Sequence, residues 1–320
     1  MLKLPRTRDV ISAGIDGGGA CVAVFGRDGL VVEESFGSIE PATPLAWMSS
    51  GKPLTAMALG ILFERGSIGW NDPVAKHIPE FAQNGKQSIT LTHLLTHTAG
   101  LRGVVTGYPQ ASWDQIIDRL CAARMEPNWP PGSNTGYHPQ TSWFVLGEIV
   151  RRIDGRSIDL FVRDEIFEPL GMTTSTIAAP VSPGSSCRGT ARDLARFYQM
   201  QLRGGEGLLK PETIAFITRR HREGMFDHTF KSMIDFGLGF IINSDHHAPG
   251  QVPYGYGPHA SRDTFGHGGA QSGVGWCDLS RGIAGALIFG RQCAEAAHQQ
   301  RLRETMAVIY EDLGYGLASD

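Results

Sequence analysis

Apolar residues recur along this chain with two periods, one of strands and one of helices. Residues 20–25 and 30–34 are β-forming runs joined by Arg27-Asp28-Gly29, a hairpin signal. After Ser49 the period becomes helical: Leu54, Met57, Ala58, Ile61 and Leu62 share one face, and Gly66 ends the run. Pro53 falls in the first turn, where proline is tolerated. A Pro-, Gly- and Asn-rich stretch leads to residues 91–100, expected to be a short helix closed by glycine. Residues 141–153 carry another helical stripe, Trp143, Leu146, Val150 and Ile153. A third helix is expected from Thr190, where Thr190-Ala-Arg-Asp193 fits a capping box, to near Gly204. Past Phe236 the strand pattern returns in residues 274–278 and 283–289, around a Ser280-Arg281-Gly282 turn, and a last helix is expected over about 294–310. Strands at both ends with helices between them predict an α+β fold whose sheet unites the two ends of the chain. Residues 1–75 with 235–320 would form the sheet domain and 76–234 a mainly helical one.

Composition narrows the function. The 320 residues are 41% hydrophobic and 19% charged, which suffices for one large core or two modest ones. A net charge of −3 gives no basic footprint for nucleic acid and no polybasic arm for a membrane surface. Residues 1–10 lack the apolar core of a signal peptide, and no later run is long and apolar enough to span a bilayer. Five cysteines, Cys21, Cys121, Cys187, Cys277 and Cys293, are scattered without C-x-x-C spacing and read as free thiols. A soluble cytoplasmic protein is expected, and 41 glycines with 18 prolines suit a loop-rich enzyme. The sequence does not speak to oligomeric state.

The candidate chemistry starts at Ser49-Ser-Gly-Lys52. Residues three apart on a helix share a face, so Ser49 Oγ and Lys52 Nζ can meet. A serine hydroxyl becomes a nucleophile when a nearby base takes its proton, and a neutral lysine can be that base. By itself the pair fits a solvated lysine at a helix start better than a catalytic one. Two further segments join it. Pro130-Pro-Gly-Ser-Asn-Thr-Gly-Tyr137-His138-Pro139 precedes an amphipathic helix, and Phe265-Gly-His267-Gly268-Gly269-Ala270 precedes the strand containing Trp276.

Taken together, these segments resemble the serine β-lactamase and penicillin-binding-protein superfamily, most closely its class C-like esterases, the family VIII carboxylesterases. His93-Leu-Leu-Thr-His-Thr-Ala-Gly-Leu101, Phe161 through Gly171-Met172, Thr190 through Phe197 and Phe236-Gly-Leu-Gly-Phe240 match in order and spacing, and the likeness spans most of residues 15–292. The resemblance implies a β-lactamase/transpeptidase-like fold, with an antiparallel sheet flanked by helices. It also implies an acyl-enzyme serine hydrolase without cofactor or metal, acting on a small ester or amide. Ser49 would be the nucleophile, Lys52 its base, and Tyr137 the phenol that shares the proton and passes it to the leaving group. The Ser49 and Ala270 amides would form the oxyanion hole, with Gly268 and Gly269 letting the strand edge approach the acyl group. His267 stands where penicillin-recognising members carry lysine, and Pro139 where the family has asparagine. These changes disfavour β-lactams and favour neutral esters. His138 is the expected substitute hydrogen-bond donor for that asparagine, and Trp276 an expected wall of the acyl pocket. Acyl transfer to a bound alcohol or amine, D-amino-acid amidase or peptidase action, weak β-lactamase action and a silent binding protein are the alternatives.

Other features read as structural. His93 and His97 are four apart, but no glutamate or third ligand accompanies them. His246 and His247 read as solvated. The glycine-rich residues 14–19 precede a strand rather than follow one, which excludes a dinucleotide fingerprint, and no G-x-S-x-G elbow is present.

Overall fold

The structure is a computed structural model that describes residues 2–14 and 18–316. Residues 15–17 of the glycine-rich stretch lie outside it. Among the described residues the main sheet has seven strands: β1 (Ala20–Gly26), β2 (Leu30–Phe36), β3 (Asp235–Phe236), β4 (Ile241–Ile242), β5 (Phe265–Gly269), β6 (Gly273–Asp278) and β7 (Ile283–Phe289). Their order is β2-β1-β7-β6-β5-β4-β3, and every pairing is antiparallel. The two ends of the chain therefore meet in the middle of the sheet, Ala20 opposite Phe289 and Gly26 opposite Ile283.

Strand β7 is buried at all seven positions, because helices cover both faces of the sheet. The helices that matter here are α1 (Pro5–Gly14), α2 (Lys52–Glu64), α3 (Leu91–Leu95), α4 (Thr141–Asp154), α5 (Ala191–Leu202) and α6 (Glu295–Asp312). One side chain in two points to each face of a strand. Val22, Val24, Val274, Trp276 and Leu287 join Leu4 and Ile11 of the N-terminal segment and Leu302, Met306 and Ile309 of α6. Ala23, Cys277, Ala284 and Ala286 face α5, and their cluster continues through α2 and α4. The small residues of that inner face let Phe197 and Tyr198 pack closely. The helix α5, which lies within 76–234, thus packs on the sheet itself.

Local differences from the expected elements have local causes. Helix α3 stops at Leu95 rather than running to Gly100. The Thr96 hydroxyl bonds the Thr92 carbonyl at 2.7 Å, and His97 takes a φ of +60°, which reverses the chain. His93 and His97 therefore do not share a helical face; His93 Nδ1 instead accepts from the Thr90 amide as half of a capping box. At α5 only half of the expected box forms. Thr190 caps the Asp193 amide, but the Asp193 carboxylate turns to Thr174 and Ser175. No described helix is long and apolar enough to cross a membrane. The cysteines are free, four of them buried.

Candidate active site

Ser49 lies in a single 3-10 turn, Met48–Gly51, that runs into α2, so the serine sits just before the helix rather than on it. The turn is wedged between two strands. Behind it, the Trp47 amide donates to the Cys187 carbonyl at 2.9 Å, and a β-carbon at Gly51 would stand 2.5 Å from Cys187 Cβ. In front, a β-carbon at Gly269 of β5 would stand 2.2 Å from the Trp47 carbonyl oxygen. Glycine at both positions is what allows this approach. Ser50 Oγ donates to the Gly273 carbonyl at 3.2 Å, and Ser272 Oγ to that of Ala46, which pins the end of β5 and Ala270 beside the Ser49 turn.

Lys52 is completely buried at the start of α2. Its Nζ is 2.9 Å from Ser49 Oγ, 2.9 Å from the Pro139 carbonyl and 2.6 Å from the Gly184 carbonyl. Carbonyls can only accept. They therefore take two N–H bonds, and in the neutral amine the remaining lone pair is directed at the serine hydroxyl. Burial lowers the Lys52 pKa from 10.5 to about 7, against a small opposing effect of the Cys187 thiol. The rings of Tyr137 and Trp143 each lie 5.3 Å from Nζ.

Tyr137 belongs to a loop, and a buried ion pair holds that loop. The Asp227 carboxylate accepts from the amides of Tyr137 (3.1 Å), Thr229 (2.9 Å) and Phe230 (3.0 Å). Arg222 Nη2 stands 3.1 Å from its other oxygen, with both side chains inaccessible. The Thr229 hydroxyl donates to the Tyr137 carbonyl, and the Tyr137 ring packs against Phe230 at 4.6 Å and His97 at 4.7 Å. The Tyr137 hydroxyl is buried and has no hydrogen-bond partner among the described residues. Burial pushes the phenol well above its ordinary pKa. The Ser49 side chain opposes this in part, through a contact of hydrogen-bonding type whose geometry falls short of a formed bond. The phenol is thus a proton donor at neutral pH.

His267 shares the face of β5 that carries Gly269 and is almost fully buried. Its Nδ1 lies 2.7 Å from the Gly268 carbonyl and so carries the ring proton, which leaves Nε2 an acceptor. Burial first, then the Lys52 charge, lowers its pKa to about 3, so the ring is neutral where a lysine would be cationic. Gly268 lies under Tyr254, whose Cδ1 would be 2.1 Å from a β-carbon there.

Two expectations fail on geometry. His138 does not reach Lys52: its Nε2 accepts from the Leu101 amide at 3.0 Å, its Nδ1 pairs with Ser142 Oγ at 3.0 Å, and the ring is fully buried. The lysine is steadied instead by backbone, including the carbonyl of Pro139 itself. Trp276 pairs with Gly266 rather than His267, so it points to the opposite face of the sheet, into the core beneath α6, and walls no acyl pocket. Sequence reasoning missed Asp227, Arg222 and the Gly184 carbonyl. Neither charged residue lies in a recognisable motif, and a carbonyl contact leaves no trace in residue type.

The half-buried Ser49, the buried Lys52 and the buried Tyr137 thus gather between a helix start and a strand end. The chain belongs to the Beta-lactamase family, whose profile matches residues 7–306. It is 25% identical to the esterase/beta-lactamase LipL of Mycobacterium tuberculosis over 86% of this chain and 77% of that protein. A penicillin-binding protein homologue from Caulobacter crescentus superposes with a TM-score of 0.82 at 25% identity, over 97% of each chain. A family VIII carboxylesterase does so with a TM-score of 0.81 at 23% identity, also over 97% of each. The family and these relatives make the protein a hydrolase of the serine β-lactamase and esterase superfamily.

Proposed function

We propose that the protein hydrolyses small neutral esters through an acyl-enzyme on Ser49. Ser49 Oγ attacks the ester carbonyl while Lys52 Nζ accepts its proton, and the amides of Ser49 and Ala270 hold the oxyanion. A single donor of this kind lowers a barrier by about 3 kcal/mol. The Tyr137 phenol protonates the departing alcohol and regains its proton from Lys52. Water then attacks the acyl-enzyme, and the same groups run in reverse. The observation that carries this reading is Lys52 Nζ at 2.9 Å from Ser49 Oγ, with burial holding the amine near pKa 7. The neutral His267 supports esters over carboxylate-bearing β-lactams, since it offers an anion no charge. The name of the LipL relative, esterase/beta-lactamase, supports ester hydrolysis on this fold.

Ser49→Ala tests it. Turnover of p-nitrophenyl acetate and covalent labelling by a fluorophosphonate should both disappear while the protein stays folded by circular dichroism. Labelling that survives the substitution places the nucleophile elsewhere.

A further inference from the structure

At the β3 edge of the sheet, three side chains of metal-ligating type converge. Asp235 opens β3 opposite Ile242 of β4. The chain then passes Ser244 into a single turn, Asp245–His247. The Asp235 amide donates to Ser244 Oγ at 2.8 Å, and that hydroxyl donates to the Ile242 carbonyl at 2.7 Å. The Asp245 amide donates to Asn243 Oδ1 at 3.1 Å, and Asn243 Nδ2 to the Ser261 carbonyl at 2.9 Å. The turn that carries both histidines is therefore laced to the strand that carries the carboxylate.

The histidines are not simply solvated, as their sequence context suggests. His247 is half-buried with Nε2 2.9 Å from Asp235 Oδ1, and the Asp235 side chain is fully buried. The exposed His246 brings its Nε2 to 3.7 Å from Oδ2, too far for a hydrogen bond, and its ring lies against that of His247, tilted by 40° with centroids 3.9 Å apart. The three ligand atoms all lie within 4.8 Å of one another. Tetrahedral bonds of 2.0–2.1 Å set ligand atoms about 3.3 Å apart. His247 meets Oδ1 at 2.9 Å and His246 meets Oδ2 at 3.7 Å, so gathering both rings on one oxygen needs a rotation of the carboxylate or of a ring within the 4.8 Å cluster.

The surroundings also suit a cation. Asp235 is fixed by the Gly224 amide at 2.9 Å and by Arg220 Nε at 3.0 Å, which orients the carboxylate in advance. Arg220 is shared with Asp263 at 3.5 Å and Glu223 at 4.0 Å, and Glu223 also meets Arg262 at 3.5 Å. Three carboxylates against two guanidiniums leave one net negative charge, and Asp245 adds another.

We propose that Asp235, His246 and His247 bind a divalent transition ion of the zinc type through one carboxylate oxygen and two Nε2 atoms, with water completing the coordination. Each ring keeps its proton on Nδ1. The site neighbours Ile234, whose carbonyl accepts from Arg222, the partner of Asp227 beneath Tyr137. A bound ion would tie down the sheet edge that positions the phenol.

The test is calorimetric titration of the metal-stripped full chain with Zn2+, repeated for the His246→Ala/His247→Ala double variant, whose changes lie on an exposed turn. Wild type should bind one Zn2+ with micromolar or tighter affinity and gain thermal stability, and Co2+ should give visible d–d bands of tetrahedral strength. The double variant should lose at least tenfold in affinity and both other signals. Absence of 1:1 binding up to about 0.1 mM, a free energy near −5.5 kcal/mol, overturns the proposal. So does equal binding by wild type and the double variant.

Discussion

Two carbonyls, of Pro139 and Gly184, decide what Lys52 can do at Ser49. Their demand for N–H donors leaves the lone pair of the neutral amine for the serine, and burial brings the neutral form within reach of neutral pH. A base must be deprotonated to act, so kcat/KM for a neutral ester should rise with pH along one limb centred near 7. The Tyr137 phenol lies far above that range, so no falling limb from it is expected up to about pH 9, given an ordinary tyrosine pKa of about 10. A pH–rate profile checks both statements. A rate flat between pH 6 and 8 would remove Lys52 as the base. Lys52→Arg, permanently charged, should lack the limb and nearly all activity.

The same site depends on elements that carry no catalytic group. The segment around Phe226–Asp227 holds the Tyr137 loop through one carboxylate, and Arg222 neutralises that carboxylate inside the protein. Removing one partner of a buried pair strands the other charge, at a cost of about 3–5 kcal/mol. Asp227→Asn should lower the urea midpoint accordingly and reduce kcat more than KM, because the phenol loses its backbone anchor. Thr229→Val, which removes only the bond to the Tyr137 carbonyl, should cost about 1 kcal/mol. A wild-type midpoint for Asp227→Asn would show that the pair does not hold the loop. Helix α3 teaches a related lesson: the apolar pattern announced a helix there, but a threonine bonding backwards and a left-handed histidine ended it early.

Across the whole molecule, the proposed catalysis rests on strands from opposite ends of the chain pairing as β1 and β7, which fixes β5 beside the Ser49 turn. Gly269 is the point of contact. Adding one methyl there would meet the Trp47 carbonyl oxygen 2.2 Å away, a backbone atom with no flexible side chain to yield. Gly269→Ala should therefore reduce esterase kcat/KM by at least a hundredfold, about 2.7 kcal/mol of barrier, while most secondary structure remains by circular dichroism. Activity within threefold of wild type would mean that the strand and the turn do not need this approach.

Four of the seven sheet strands, the helices α2 to α6 and the candidate residues Ser49, Lys52, Tyr137 and His267 were legible in the sequence. Periodicity records burial, and ordered motifs record chemistry in side-chain identity. Element ends at His97, the inward turn of His138 and the far-face position of Trp276 were not legible. Strand register and rotamer depend on neighbours distant in the chain. The lysine's surroundings were hidden for the same reason: its partners are main-chain oxygens that every residue possesses. Residue types alone named the candidate reacting groups; only folding, by desolvating Lys52 against two carbonyls and pinning Tyr137 to Asp227, determined their protonation and direction.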